Sequence, residues 1–325
     1  MRTSARVVLL VLNLLLSAVT VLAQAKLPGE TRNAALRYWQ AFAELKDPPA
    51  DREIRAEMEK VLAGESRWNE KSLGPMVASN EIALGIMQRA TKLPDCDWGV
   101  EYSRGPQASI AFVSRAHVLA RINTLAGIRQ AANGHPQAAV DTWIAGLRFT
   151  QDLTKGGSLL FALTAKSVLV IEMRAIAAEA KLGQLPPAEQ TQLFSVFNAL
   201  PPDGFDWGQA WDMDAAGADV FFAELQETQH PRKFYEELMG ESAPKGCIPP
   251  SPAQLKLYHA YMTAAGAALR LPPPEAKERL TALQGQQDNI CESIRVAIPS
   301  AQRVNDERTQ VIRTRQDLLE ALRSK

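Results

Sequence analysis

Apolar residues recur at helical spacing along almost the whole chain, and the strict alternation of a half-buried strand is nearly absent. Thr31 caps a first expected helix carrying Leu36, Tyr38, Trp39, Phe42 and Leu45, which stops before Pro48-Pro49 because a residue ahead of proline is pushed out of the α region. Asp51 to Leu62 gives a second, with Ile54, Met58, Val61 and Leu62 on one side and Gly64 as its stop. Residues 75–91 give a third, containing Ile82, Ile86 and Met87. Two helices over 108–132 and 137–153 flank the turn Asn133-Gly134-His135-Pro136. Gly suits the left-handed end of one helix and Pro the first turn of the next.

Ser158 to Leu182 is strongly apolar, and Lys166, Glu172, Arg174 and Glu179 fall at several angles around its axis. It therefore reads as a central helix whose charges snorkel or pair. Proline seams follow at Pro186-Pro187, Pro201-Pro202, Pro249-Pro250 with Pro252, and Pro272 to Pro274, each a place where one helix ends and another begins. Ser300 to Arg323 carries Val304, Val311, Leu318 and Leu319 along one stripe, an amphipathic helix packed on the domain. The pattern predicts an all-α fold of stacked helical hairpins, roughly ten to twelve helices. They fill one domain over residues 26–325, with a seam near 200–205.

Residues 1–25 depart from this pattern. Arg2 and Arg6 precede an apolar run from Val7 to Leu22, and Ala23-Gln24-Ala25 supplies a small-x-small cleavage site before Lys26-Leu27-Pro28. The run is short for a spanning helix, so it reads as a cleaved secretory signal, with no membrane span after cleavage. The expected destination is periplasmic or extracellular. Loss of Arg2 and Arg6 takes the charge balance from zero to −2, which excludes a strong global field for nucleic acid. Hydrophobic content of 46% with 22% charged residues suits a globular fold, and 6% aromatics favours helix over strand.

An oxidising compartment gives meaning to Cys96, Cys247 and Cys291, because three thiols allow at most one internal bridge. Residues 252–270 and 275–297 read as antiparallel helices joined at Pro272-Pro273-Pro274, which returns Cys291 toward the loop holding Cys247. A Cys247–Cys291 disulfide is expected, stabilising by about 3–4 kcal/mol through loop closure. The competing arrangement is three separate, mostly buried thiols. The four histidines are scattered and no CxxC, HxxxH or HExxH spacing occurs, so no metal or cofactor is expected. Neither a GxSxG elbow nor a phosphate-binding glycine loop is present.

The run Gly134 to Phe149 (GHPQAAVDTWIAGLRF) resembles the turn and second helix of a tetratricopeptide repeat. There a glycine ends the first helix, with a small residue five places on, an aromatic nine on and a small residue twelve on. Gly134, Ala139, Trp143 and Gly146 meet that spacing, and Leu147 follows as the usual apolar neighbour. The resemblance covers Arg121 to Lys155 and has no second copy at a 34-residue interval. It implies a hairpin with Trp143 packed between its helices, and in arrays of such hairpins a concave face that binds peptides or partner proteins.

Two loops concentrate polar and aromatic groups. Pro201 to Asp219 holds Asp206, Asp212 and Asp214 beside Trp207 and Trp211, and the long linker Leu93 to Pro106 echoes Asp206-Trp207-Gly208 with Asp97-Trp98-Gly99. If the loops met, Asp97, Asp206, Asp212 and Asp214 would supply acid and base groups, while Trp98, Trp207 and Trp211 would wall a sugar-binding groove. The other reading gives Asp97 and Asp206 to helix capping and the indoles to the core. Together these features favour a non-catalytic protein- or peptide-binding module, or scaffold, of the cell envelope. The alternative is a secreted polysaccharide-acting enzyme, a glycoside hydrolase or lyase.

Overall fold

The computed structural model describes residues 31–244 and 246–323; the signal sequence expected at residues 1–25 lies outside them. Fourteen α-helices and two 3-10 segments occur among the described residues. No strand does, only an isolated bridge between Asn33 and Asp95. In chain order the helices are α1 (Ala34–Glu44), α2 (Arg52–Leu62), α3 (Glu70–Ser79), α4 (Glu81–Ala90), α5 (Phe112–Ala132), α6 (Pro136–Thr154) and α7 (Leu159–Lys181). They continue as α8 (Pro187–Asn198), α9 (Trp207–Glu227), α10 (Pro231–Met239), α11 (Pro252–Ala268), α12 (Pro273–Leu283), α13 (Glu292–Arg295) and α14 (Ala301–Arg323). The described residues from Asn33 onward belong to one compact unit.

The centre is α5, α6 and α7, each packed on the other two. Gly134, at φ +77°, closes α5 in a left-handed turn: its N–H donates to Ala131 O and that of His135 to Gln130 O. Pro136 then opens α6 at a position where no backbone donor is needed. Trp143 is fully buried between α5 and α6, as expected of it, and its indole N–H donates to Thr124 O at 3.4 Å. Gly127 makes this possible, because a Cβ there would lie 2.2 Å from the indole nitrogen. Gly146 does the same for α7, since a Cβ would lie 2.3 Å from Glu172 Oε1.

Around this centre, α1 packs on α4 and α5, and α4 on α6. On the other side α14 packs on α7 and α8, and α8 on α6. Helix α9 rests on α7, α11 on α9, and α12 bridges α11 and α14. Cys247 and Cys291 are joined in a disulfide across 44 residues.

Several boundaries differ from the sequence expectation. Asn33 rather than Thr31 caps α1, accepting from Ala35 N–H. The helix expected at 75–91 is two helices. Asn69 caps α3, which runs through Pro75, and buried Asn80 ends it, its side chain accepting from Lys46 N–H and donating to Met76 O. The helix expected at 275–297 stops at Leu283, and the 3-10 segment Gln284–Asn289 with short α13 brings Cys291 to the bridge. These breaks raise the helix number above the expected ten to twelve. Leu36, Trp39 and Ile82, assigned to apolar faces, are exposed, whereas the α14 stripe of Val304, Val311, Leu318 and Leu319 is buried.

The Gly127–Trp143 contact yields a direct test. Gly127→Ala is expected to destabilise the fold by about 1–3 kcal/mol through overpacking, although alanine is the better helix former. Urea unfolding measures this, and an unchanged or raised midpoint would contradict the contact.

Candidate functional site

The aromatic and acidic residues singled out in the sequence go to separate structural tasks. Asp97 caps no helix. Its carboxylate accepts from Gly99 N–H in a local turn, while its own backbone exchanges two hydrogen bonds with the Asn33 side chain. Asp206 is the N-cap of α9, accepting from Gln209 N–H at 2.8 Å. Asp212 pairs with Arg270. Asp214 accepts from Leu159 N–H at 3.0 Å, at the start of α7, and burial pushes its carboxyl up to about 6, against the pull of that N–H.

The three indoles are inside the protein. Trp98, Trp207 and Trp211 donate to the backbone oxygens of Asp152, Asp203 and Met262. Trp98 also stacks on Phe112, with centroids 4.7 Å apart, and on Tyr38. The tripeptide echo therefore has no common structural role, and walls of exposed indole are not formed. The linker does meet α9, but through the 3-10 segment Tyr102–Gln107 rather than through Asp97 or Trp98.

The free thiol, Cys96, lies partly buried beside Asp152 O. Burial, with the Asp152 charge behind it, pushes the thiol up to about 12 and suppresses the reactive thiolate. Among the described residues no cluster of His, Cys, Asp and Glu is placed to hold a metal ion. No helix among them is long and apolar enough to cross a membrane.

A groove of about 590 Å³ lies instead between α7, α14 and the loop after α2. Its existence begins with Gly64. At φ +74° the residue ends α2, and its missing side chain lets the 63–67 loop settle on α7, where a Cβ would stand 2.7 Å from Ala178 Cβ. Met173, Ala177 and Ala178 of α7 form the apolar floor, and Thr314 and Asp317 of α14 the far side. Glu65, Arg67, Arg174, Lys181 and Asp317 stand exposed around it, and Glu179 lines it while only 6% exposed. Burial pushes the Glu179 carboxyl up to about 7, and Arg67 works against that rise. Among the described residues none of these six side chains forms an ion pair or hydrogen bond.

A second cavity, about 550 Å³, lies on α4, α5, α6 and α8, but Gln88, Thr142 and Gln130 there already bond to one another. A third, about 440 Å³ and largely apolar, lies between α11 and α12. Of these three cavities, the first combines open volume and charges of both signs with the raised Glu179 carboxyl. None of Asp97, Asp206, Asp212 and Asp214 lines any of these three cavities. Sequence reasoning missed the site, although the absence of a clean polar face on α7 was the available signal.

No family model, no curated protein and no solved structure matches the chain.

Three buried carboxyls bear on how stability should depend on pH. Glu179 and Asp214 are raised, and Glu172, wholly buried, lies well above the usual carboxylate range. Each keeps its proton in the folded chain at pH values where the unfolded chain has released it. Their contribution is full below the unfolded values and is lost as pH rises through the folded ones. His117, pushed down by burial, acts oppositely but on one proton against three. The thermal midpoint is therefore expected to be higher at about pH 5.5 than at about pH 8. Glu179→Gln and Glu172→Gln should each flatten the profile, and a midpoint that rises with pH would refute the assignment.

Proposed function

We propose that this protein is a non-catalytic peptide- or protein-binding module exported to the periplasm or cell surface, with the α7–α14 groove as its binding site. The observation that carries the reading is the groove itself, an open channel whose charged rim forms no ion pair or hydrogen bond among the described residues.

The order of helix contacts supports a tetratricopeptide-like stack. Helices α1, α5, α7 and α14 would form the inner row, since α1 packs on α5, α5 on α7 and α7 on α14. Helices α4, α6 and α8 would form the outer row, since α4 packs on α6 and α6 on α8. In that arrangement α9 to α13 are an insertion tied down by the disulfide, and the groove lies on the inner row, the side such arrays use for peptides. The small residues Ala139 and Gly146, both buried, let the rows approach closely. The Cys247–Cys291 bond favours an oxidising compartment.

Panning a random peptide display library against the wild-type protein tests the reading. Enriched peptides should lose about tenfold or more in affinity for the Arg174→Glu/Lys181→Glu variant, whose changes fall on exposed positions that the fold does not need. Failure to enrich, or affinity indifferent to the double substitution, would remove the groove as the binding site.

A further inference from the structure

The cavity between α11 and α12 differs from the α7–α14 groove in what lines it. Ala264, Ala267, Ala268 and Leu271 come from α11 and the turn after it, and Ala282 and Leu283 from α12. Among the residues that line it, Arg279 alone is charged and Gln286 alone is polar and neutral. At about 440 Å³ the trough lies within the range of small-ligand sites, about 300–1,000 Å³. Ala260 and Leu257, four and seven residues ahead of Ala264, stand exposed and continue the apolar track along the same helix face. From Leu257 to Leu271 that track is about 20 Å long.

The chain itself sets the trough's width. The turn at Pro272 joins the two helices at one end. At the other, the Cys247–Cys291 bond ties the segment before α11 to the segment after α12. Gln254 adds to that tie, donating to Asn289 O and accepting from Cys291 N–H. Two other guanidinium groups near the turn are already engaged, Arg270 by Asp212 and Arg308 by Asp203. Arg279 has no ion pair or hydrogen bond among the described residues. Glu275, one turn before it on α12, neither pairs with it nor lines the trough. An unpaired cation therefore borders an apolar track that no acid lines.

We infer that the α11–α12 trough binds a fatty acid, its alkyl chain along Ala264, Ala267 and Leu283 and its carboxylate on the Arg279 guanidinium. The fork of donors on arginine fits the two oxygens of a carboxylate. One guanidinium balances a monoanion, whereas the dianion of a phosphate monoester calls for a second cation. A protein partner fits less well, because a stable interface buries about 1,200–2,000 Å², and polar residues flank the lining positions. Thr263, Glu278 and Thr281, each next in sequence to a lining residue, are exposed. The long, narrow apolar track with one charge beside it suits a single alkyl chain with one charged end.

The test is isothermal titration calorimetry of the protein with dodecanoate below its micelle concentration, with octanoate and dodecyltrimethylammonium for comparison. Dodecanoate should bind about tenfold or more tightly than octanoate, since a buried methylene is worth up to about fourfold in affinity. Dodecyltrimethylammonium, with the same chain and the opposite charge, should bind about tenfold more weakly than dodecanoate. Arg279→Glu should cost dodecanoate about tenfold and remove its preference over the cationic amphiphile. Ala267→Phe, at an exposed position, fills the trough and should abolish binding. Arg174→Glu/Lys181→Glu, in the α7–α14 groove, should leave it unchanged, and helical circular dichroism confirms that each variant folds. Equal affinity for the two amphiphiles, dodecanoate binding that survives Ala267→Phe, or its loss in the double variant overturns the inference. Sedimentation of the ligand-free protein as a dimer that Ala267→Phe disrupts gives the trough to a second copy and overturns it as well.

Discussion

Everything else in the structure rests on the close approach of α5, α6 and α7 through two glycines. Gly127 yields its side-chain space to Trp143, and Gly146 yields its space to Glu172. Interiors pack at the density of molecular crystals, so a methyl group at either place would have to move a large side chain or separate the helices. Held by both neighbours, α7 becomes the surface on which α2, α9 and α14 all rest. The groove is a gap in that arrangement, and its depth follows from a third small-residue contact, Gly64 on Ala178.

Helix α7 accepts an electrostatic cost for its central position. Glu172 and Glu179 are seven residues apart, two turns of helix, and so lie on one stripe. Glu172 faces Gly146 with its Oε1 atom lacking a partner, and burial selects its neutral form. An ionised carboxylate there would cost several kcal/mol, which protonation avoids. Glu179 sits where the same stripe reaches the groove wall, so its neutrality is only partial. One helix thus carries an acid committed to the core and another exchanging its proton with solvent near neutral pH.

The helices were readable because their burial follows a 3.6-residue period, and the bridge between Cys247 and Cys291 was readable because the Pro272–Pro274 turn folds the chain back. Breaks were harder. Pro75 reads as a helix start yet lies inside α3, and Asn80 ends that helix through a hydrogen bond to Lys46 that no local pattern reveals. The Asp and Trp loops drew attention because aromatics beside glycine and proline look exposed in a sequence. Each indole instead found a backbone oxygen in the interior, and that partner is set by tertiary contact. The groove was hidden for a related reason. Arg67, Arg174 and Asp317 are distant in sequence, and each alone is one more charge on a solvated face.

Several cations elsewhere in the fold are engaged by backbone carbonyls or by acids. Arg115 donates to Phe42 O and Leu45 O at the end of α1, and Arg315 to Phe197 O and Asn198 O at the end of α8. Arg308 joins Asp203 to Leu271 O just beyond α11, while Lys166 is held by Glu307 and Gln310. Guanidinium groups thus supply donors to carbonyls at or just beyond helix ends. At the ends of α2 and α7 the backbone performs that task itself, through the turns at Gly64 and Gly183. Arg67, Arg174 and Lys181 stand beside those ends, exposed and without an ion pair or hydrogen bond among the described residues. Their side chains border the groove on which the peptide-binding reading rests.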